Sequence, residues 1–263
     1  MRTSALAGRL LLYRATAYRD LARHVQDPFR RAKAQAYLDL FTPVAKAWST
    51  EIGLSAASAG VQILGGAGFI EDSGMPQRLR DSRIAIIYEG TNGIHAIDLV
   101  MRKLPRDNAR WIRALLDDVN TTVIRRSFTR SALKESYAAL SDALTVLDRA
   151  TEVLLHWSEN APNDALAGAT AYLELLGLTL AGQLMIERAK RAEAANIELA
   201  GRAAMESEFF ATEYVGRAKG LNRTILAGAV RLADLPAWES RPVIVEPSTR
   251  LPPKEPRIYH PGQ

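Results

Sequence analysis

The chain has 263 residues, 48% hydrophobic and 24% charged, with a net charge of +5, four histidines and no cysteine. That is enough apolar material for a sizeable core in one or two domains. The missing cysteines exclude disulfides and thiolate metal sites, and no His-x-x-x-His or Glu-x-x-His pair is present, so no metal site is expected.

Abundant Ala and Leu with only 7% aromatics predict an all-α protein. The first helix is expected from a Ser4 cap to His24, with Leu6, Leu10, Tyr13, Ala17 and Leu21 on one face. These 24 residues are Arg-rich with no acid before Asp20, as in a transit peptide, but they read better as an ordinary first helix. Asp27-Pro28 opens a second helix to about Phe41. Thr42-Pro43 then reads as N-cap and first turn of a third, with Val44, Ala47, Trp48, Ile52, Ala59, Val61 and Leu64 as its apolar positions. It ends at the cluster Gly65-Gly66-Ala67-Gly68. Ser73 to Met75 is a turn, Pro76 starts a short helix toward Arg83, and another helix runs from about Asn92 to Lys103. Pro105 and Asp107 mark a boundary.

Beyond it, helices are expected over 107–126, 131–160, 163–196 and 197–232, the last broken at Gly216 or Gly220. Asn160-Ala161-Pro162-Asn163 is the clear interhelical turn. Such lengths suit antiparallel bundles. From Pro236 onward seven of the twelve prolines fall in 28 residues, a segment that cannot be helical. The expected division is therefore 1–104, 105–235 and a Pro-rich tail at 236–263. No run of 18 apolar residues is present, so no transmembrane helix is expected, and a cytoplasmic location is. The nearest basic stripe is Arg102 to Arg113 with Arg125, Arg126 and Arg130. Asp107, Asp117 and Asp118 interrupt it, so it reads as a solvated helix face rather than a nucleic-acid surface. A mildly basic protein also suits an anionic ligand such as a nucleotide.

Chemistry concentrates in one region. Ile84-Ala85-Ile86-Ile87-Tyr88 is an apolar run ending on a lone carboxylate, Glu89, followed by Gly90-Thr91-Asn92-Gly93. An acid placed against an apolar wall is costly unless its proton affinity has a use. The plain alternative is a helix-terminal acid near Thr91 or Asn92, favoured by the helix dipole. The glycine cluster reads as a helix C-cap and tight turn, or as a place for close backbone approach by a pyrophosphate. No strand precedes it, so it is not a dinucleotide fingerprint. His95 reads as a polar residue in the first turns of its helix.

Three features together carry a resemblance: Gln62-Ile63-Leu64-Gly65-Gly66-Ala67-Gly68-Phe69, Arg80-Asp81-Ser82-Arg83, and Ile87-Tyr88-Glu89-Gly90-Thr91-Asn92-Gly93-Ile94. In order, type and spacing they resemble the C-terminal helical domain of the acyl-CoA dehydrogenase family, over about residues 1–104. The segment YLDLFTPVAKAWSTE adds a likeness to the subgroup that includes 3-methylmercaptopropionyl-CoA dehydrogenase, whose extra C-terminal helical domain residues 107–232 resemble.

The resemblance implies an FAD-dependent α,β-dehydrogenation of an acyl-CoA thioester, as in fatty acid metabolism. Glu89 would take the α-proton, and Gly90 would let the substrate carbonyl approach backbone N–H groups. Gln62, Gly65 and Gly66 would contact the FAD of a neighbouring subunit, and Thr91 and Gly93 the FAD near the active site. Gly93 stands where a longer polar residue is common, His95 where a Gln is, and Leu64 where the subgroup has a His. The implied partners are acyl-CoA, further copies of the chain or a chain carrying the remaining domains, and an electron-transfer protein. The family places a helical and a β-domain before these helices, and no strand-rich segment occurs here. The chain is thus expected to be a C-terminal part, inactive alone, whether fragment, split-gene half or decayed copy. A non-catalytic helical assembly module is the alternative.

Overall fold

The computed structural model describes residues 1–124, 133–195 and 198–229. The Pro-rich tail, Arg125, Arg126 and Arg130, and the expected junctions at 126–131 and 196–197 lie outside them. The described residues form helices and connecting turns, with no strand among them. In order they are α1 (Arg2–His24), α2 (Pro28–Leu64), α3 (Gly66–Phe69), α4 (Met75–Ala85), α5 (Asn92–Asp98), α6 (Arg110–Ile124), α7 (Lys134–Asn160), α8 (Pro162–Ala194), α9 (Ala200–Glu213) and α10 (Ala218–Leu226). The all-α expectation holds.

Three local expectations fail for identifiable reasons. Helix α2 does not break at Thr42-Pro43; it runs unbroken through Pro43. Proline removes the N–H that would have bonded the carbonyl four residues back, and that carbonyl, on Asp39, accepts from Lys103 Nζ at 2.8 Å instead. Thr42 Oγ donates back to the Leu38 carbonyl at 2.7 Å rather than capping. Ser4 does not cap α1: it is buried, and its hydroxyl donates to the Met1 carbonyl at 2.8 Å. The buried face of α1 is Ser4, Ala7, Gly8 and Leu11, one step round from the expected stripe, which leaves Tyr13 and Leu21 exposed. Helix α6 starts at Arg110, three residues late, because Asp107, Asn108 and Ala109 are all left-handed (φ 54°, 55° and 58°).

Other signals hold. Asp27 caps α2, accepting from the N–H groups of Phe29 and Arg30 at 2.8 and 3.3 Å, with Pro28 in the first turn. The break near Gly216 separates α9 from α10, while Gly220 sits inside α10.

Helix α8 is the axis of the molecule, with twenty of its 33 residues buried. By length and composition it is the one helix among those described that is apolar enough to cross a membrane, although it holds no unbroken apolar run of that length. The other helices cover 78% of its most apolar window. Two glycines let neighbours approach closely: a Cβ on Gly177 would meet Trp48 of α2 at 3.2 Å, and one on Gly182 would meet Val215 at 3.0 Å. One continuous core runs from Leu11 and Trp48 through Leu99, Leu147 and Leu176 to Phe210. It crosses the 104/105 boundary, so both parts share it. Polar ties reinforce the crossing: Tyr37 OH donates to Asp118 at 2.7 Å, and Arg14 pairs with Glu187 at 2.6 Å. The second half of α2, with α3, α4 and the 86–94 turn, extends beyond this core as one end of the molecule.

Candidate active site

Helix α2 stops at Gly65, which takes φ 59°; its N–H bonds the Gln62 carbonyl at 3.1 Å. That conformation favours glycine. Gly68 is buried, and a Cβ there would collide with the Val61 carbonyl. Gly66 is different: a Cβ there would meet nothing within 4 Å. Packing within the chain does not require a glycine at 66, which leaves its exposed backbone open to approach from outside. Gln62 is likewise exposed.

Helix α4 connects this cluster to the second one and spans about 16 Å. Arg80 on it makes a bidentate pair with Glu71 at 2.8 and 3.0 Å, fixing the turn after α3. The hydrogen bonds from Arg80 hold the Glu71 carboxyl below its ordinary range.

The second cluster is the 86–94 turn. Glu89 has φ 54° and Gly90 φ 87°. Glu89, Gly90 and Thr91 therefore share one turn, with Gly93 just beyond it at the start of α5, while Gln62 at the end of α2 and Gly65 and Gly66 after it lie together at the far end of α4. No hydrogen bond joins the two clusters among the described residues. Thr91 caps α5, its hydroxyl accepting from the Ile94 N–H at 3.3 Å, and the backbone N–H of Asn92 closes the turn on the Ile86 carbonyl at 3.2 Å.

Side chains that motif reading passed over hold this turn. Lys46 Nζ donates to the Gly90 carbonyl and to Asn92 Oδ1, both at 2.9 Å. Asn92 Nδ2 donates to the Ala47 carbonyl at 3.2 Å and to Glu51 at 2.9 Å. His95 Nε2 lies 3.2 Å from the Glu89 carbonyl. In the sequence Asn92 and His95 read as residues of a helix start, and Lys46 has no reading of its own. Their partners are up to 46 residues away, which no local pattern reveals.

The expected dry wall is not there. Ile84, Ile87 and Tyr88 are 55%, 47% and 51% exposed, and Glu89 is exposed with them. Of the eighteen large hydrophobic side chains exposed among the described residues, nine lie between Ile63 and Ile97. The apolar run turns outward because α4, from which it continues, packs on α2 and not on α8.

Residues 1–104 match the family described as "Acyl-CoA dehydrogenase, C-terminal domain", and residues 115–236 match "Acetyl-CoA dehydrogenase C-terminal like". The 3-methylmercaptopropionyl-CoA dehydrogenase of Ruegeria pomeroyi is 36% identical over 194 residues, covering 74% of this chain and 33% of that protein. The chain belongs to the acyl-CoA dehydrogenase family. Within that family it corresponds to the C-terminal portion. A butyryl-CoA dehydrogenase of Syntrophomonas wolfei is 27% identical over 215 residues, covering 80% of this chain and 33% of that protein. The chain thus spans about a third of the length of these relatives. Two solved structures share the fold. Caenorhabditis elegans ACDH-11 in complex with C11-CoA has a TM-score of 0.67 at 21% identity, over 84% of this chain and 37% of that one. An acyl-CoA dehydrogenase from Bacillus anthracis complexed with FAD has a TM-score of 0.64 at 17% identity, over 86% and 41%.

Proposed function

We propose that this chain supplies the α-proton base and part of the flavin site of an acyl-CoA dehydrogenase, and that catalysis requires the portion of such an enzyme that this chain does not span. Glu89 is the base. Its carboxylate takes the proton from the α-carbon of the thioester as that C–H bond breaks, and the β-hydrogen leaves with its electron pair as the Cα=Cβ bond forms. Bound FAD would accept that hydride.

The observation that carries the reading is the backbone at Glu89. A non-glycine residue in the left-handed region costs of order 1–3 kcal/mol and persists only where its surroundings over-determine it. Here two side chains bind the carbonyls on either side of the Glu89–Gly90–Thr91 junctions. Gly66, open to approach, and Gly65 and Gln62 beside it fit part of a cofactor's polar edge, and Thr91 and Gly93 lie beside the base to fit another. Exposure of Glu89 here leaves its desolvation to whatever covers Ile84, Ile87 and Tyr88 in the assembled enzyme. The division into 1–104, bearing the site, and 105–235, bracing it through α8, belongs to the same proposal.

The test is Glu89→Gln in the flavin-loaded assembly. Gln is nearly isosteric and has no useful basicity, so flavin is retained while its reduction by an acyl-CoA falls about 10²- to 10⁴-fold. Unchanged reduction would remove Glu89 from the role. The exposure of Glu89 favours one second reading, a helical assembly module without catalysis. Under that reading the assembly stays colourless in the presence of FAD.

A further inference from the structure

The turn that carries Glu89 has little backbone bonding of its own. Among the described residues, the N–H groups of Glu89, Gly90 and Thr91 have no hydrogen-bond acceptor. Two successive left-handed residues would not hold one shape on that basis, because the conformation is unfavourable for glutamate and merely one of several for glycine.

We propose that Lys46, Asn92 and His95 form a clamp of positioning residues that sets the direction of the Glu89 turn; the inference rests on the reading of Glu89 as the base. Lys46 sits on α2 between buried Ala45 and Ala47, so its stem starts from a fixed place. An exposed lysine would point its ammonium at water. This one spends two of its three protons on the Gly90 carbonyl and Asn92 Oδ1. Asn92 in turn bonds Ala47 and Glu51 one turn along α2, which locks the start of α5 to the same helix. His95, from the next position on that face of α5, reaches back to the Glu89 carbonyl.

The consequence is directional. Peptide groups are planar and trans, so each carbonyl points opposite to the N–H across its own bond. Binding the Glu89 and Gly90 carbonyls inward therefore turns the N–H groups of Gly90 and Thr91 outward. The clamp thus turns the Thr91 N–H away from Lys46 on α2 and the Gly90 N–H away from His95 on α5, and leaves both as free donors beside Glu89. A thioester carbonyl gains negative charge as its α-proton leaves, and preorganised donors of this kind stabilise it.

The experiment uses amide hydrogen exchange on the full chain, then flavin reduction in the loaded assembly. Lys46→Met is expected to speed exchange at the bonded amides of the 88–95 segment, those of Tyr88, Asn92, Ile94 and His95, about tenfold while α8 stays protected; Lys46→Arg, which keeps the donor, restores most of the protection. In the assembly, Lys46→Met is expected to slow flavin reduction about 10- to 100-fold at saturating acyl-CoA with KM little changed, as a displaced base would. Unchanged exchange in 88–95 would overturn the clamp. Native-rate reduction by Lys46→Met despite loosened exchange, with Glu89→Gln inactive, would overturn its role in positioning the base. If Lys46→Met unfolds the chain, His95→Ala on the short helix α5 replaces it, with the same expected confinement to 88–95 and the same overturning result. Exchange reads the clamp without reference to catalysis. Loosening by Lys46→Met together with full activity of Glu89→Gln would therefore refute the base assignment and leave the clamp's hold on the turn standing.

Discussion

Helix α8 and helix α4 are built on opposite principles. Twenty of the 33 residues of α8 are buried; none of the eleven of α4 is. Around α8, apolar side chains meet apolar side chains from both halves of the chain, and the fold is closed there. Around α4 and the 86–94 turn, apolar side chains such as Ile84, Ile87, Tyr88 and Ile94 face outward instead, and the residues that resemble a catalytic site sit on that open surface. Contiguous exposed apolar surface of this kind marks a place where something else binds. One end is folded for its own stability; the other, on the proposed reading, is held in shape for a partner and a ligand.

Mutations at the two ends should separate accordingly. The largest effect is expected at Leu176, which is fully buried in α8. Leu176→Ala should cost about 2–5 kcal/mol of unfolding free energy, read from a denaturant titration. A loss below about 1 kcal/mol would mean that α8 is not the axis of the core. Asp27→Ala removes the α2 cap and should cost about 0.5–2 kcal/mol, because α2 supports both ends.

A smaller effect of opposite sign is expected at Glu174, beside the contact between α2 and α8. Burial pushes its carboxyl above the ordinary value, Arg217 offsets part of this, and Glu51 adds to it. The folded protein therefore binds this proton more tightly than the unfolded chain. Ionisation costs stability as pH rises past the ordinary value of 4.5, and the cost is complete above the raised folded value. Glu174→Gln should stabilise the chain at pH 7 by less than about 1 kcal/mol, since solvent screens a half-exposed group. The gain should vanish as pH falls through the acidic range. Smallest of all, Ile87→Ala at the open end should change the stability of this chain by no more than about 0.5 kcal/mol. A loss like that at Leu176 would mean the open end is a second core.

What the sequence disclosed divides along the same line. Local patterns placed most helices, the Asp27 cap and the glycine turn, and motif order set Glu89, Gly90 and Thr91 directly before the helix start at Asn92 that carries Gly93. Where the outcome depended on a distant partner, local reading failed. Pro43 signals a helix start, yet Lys103, sixty-four residues from Asp39, takes the carbonyl that Pro43 orphans and the helix continues. Lys46 lies forty-four residues before Gly90 and has no signature of its own. The apolar run before Glu89 was read as a wall because apolar residues usually find cover, and periodicity does not say whether that cover lies in the same chain.

The central claim is that this chain carries a partial site: an acid and cofactor-facing backbone held in place, with enclosure supplied from elsewhere. Ultraviolet–visible spectroscopy of the purified chain during titration with FAD, and then with a medium-chain acyl-CoA, tests it most directly. A cofactor site normally buries most of its ligand, and the exposed 62–97 region offers one side only. Weak or no flavin binding and no bleaching on adding substrate are expected. Stoichiometric, tightly held flavin that bleaches with acyl-CoA would contradict it.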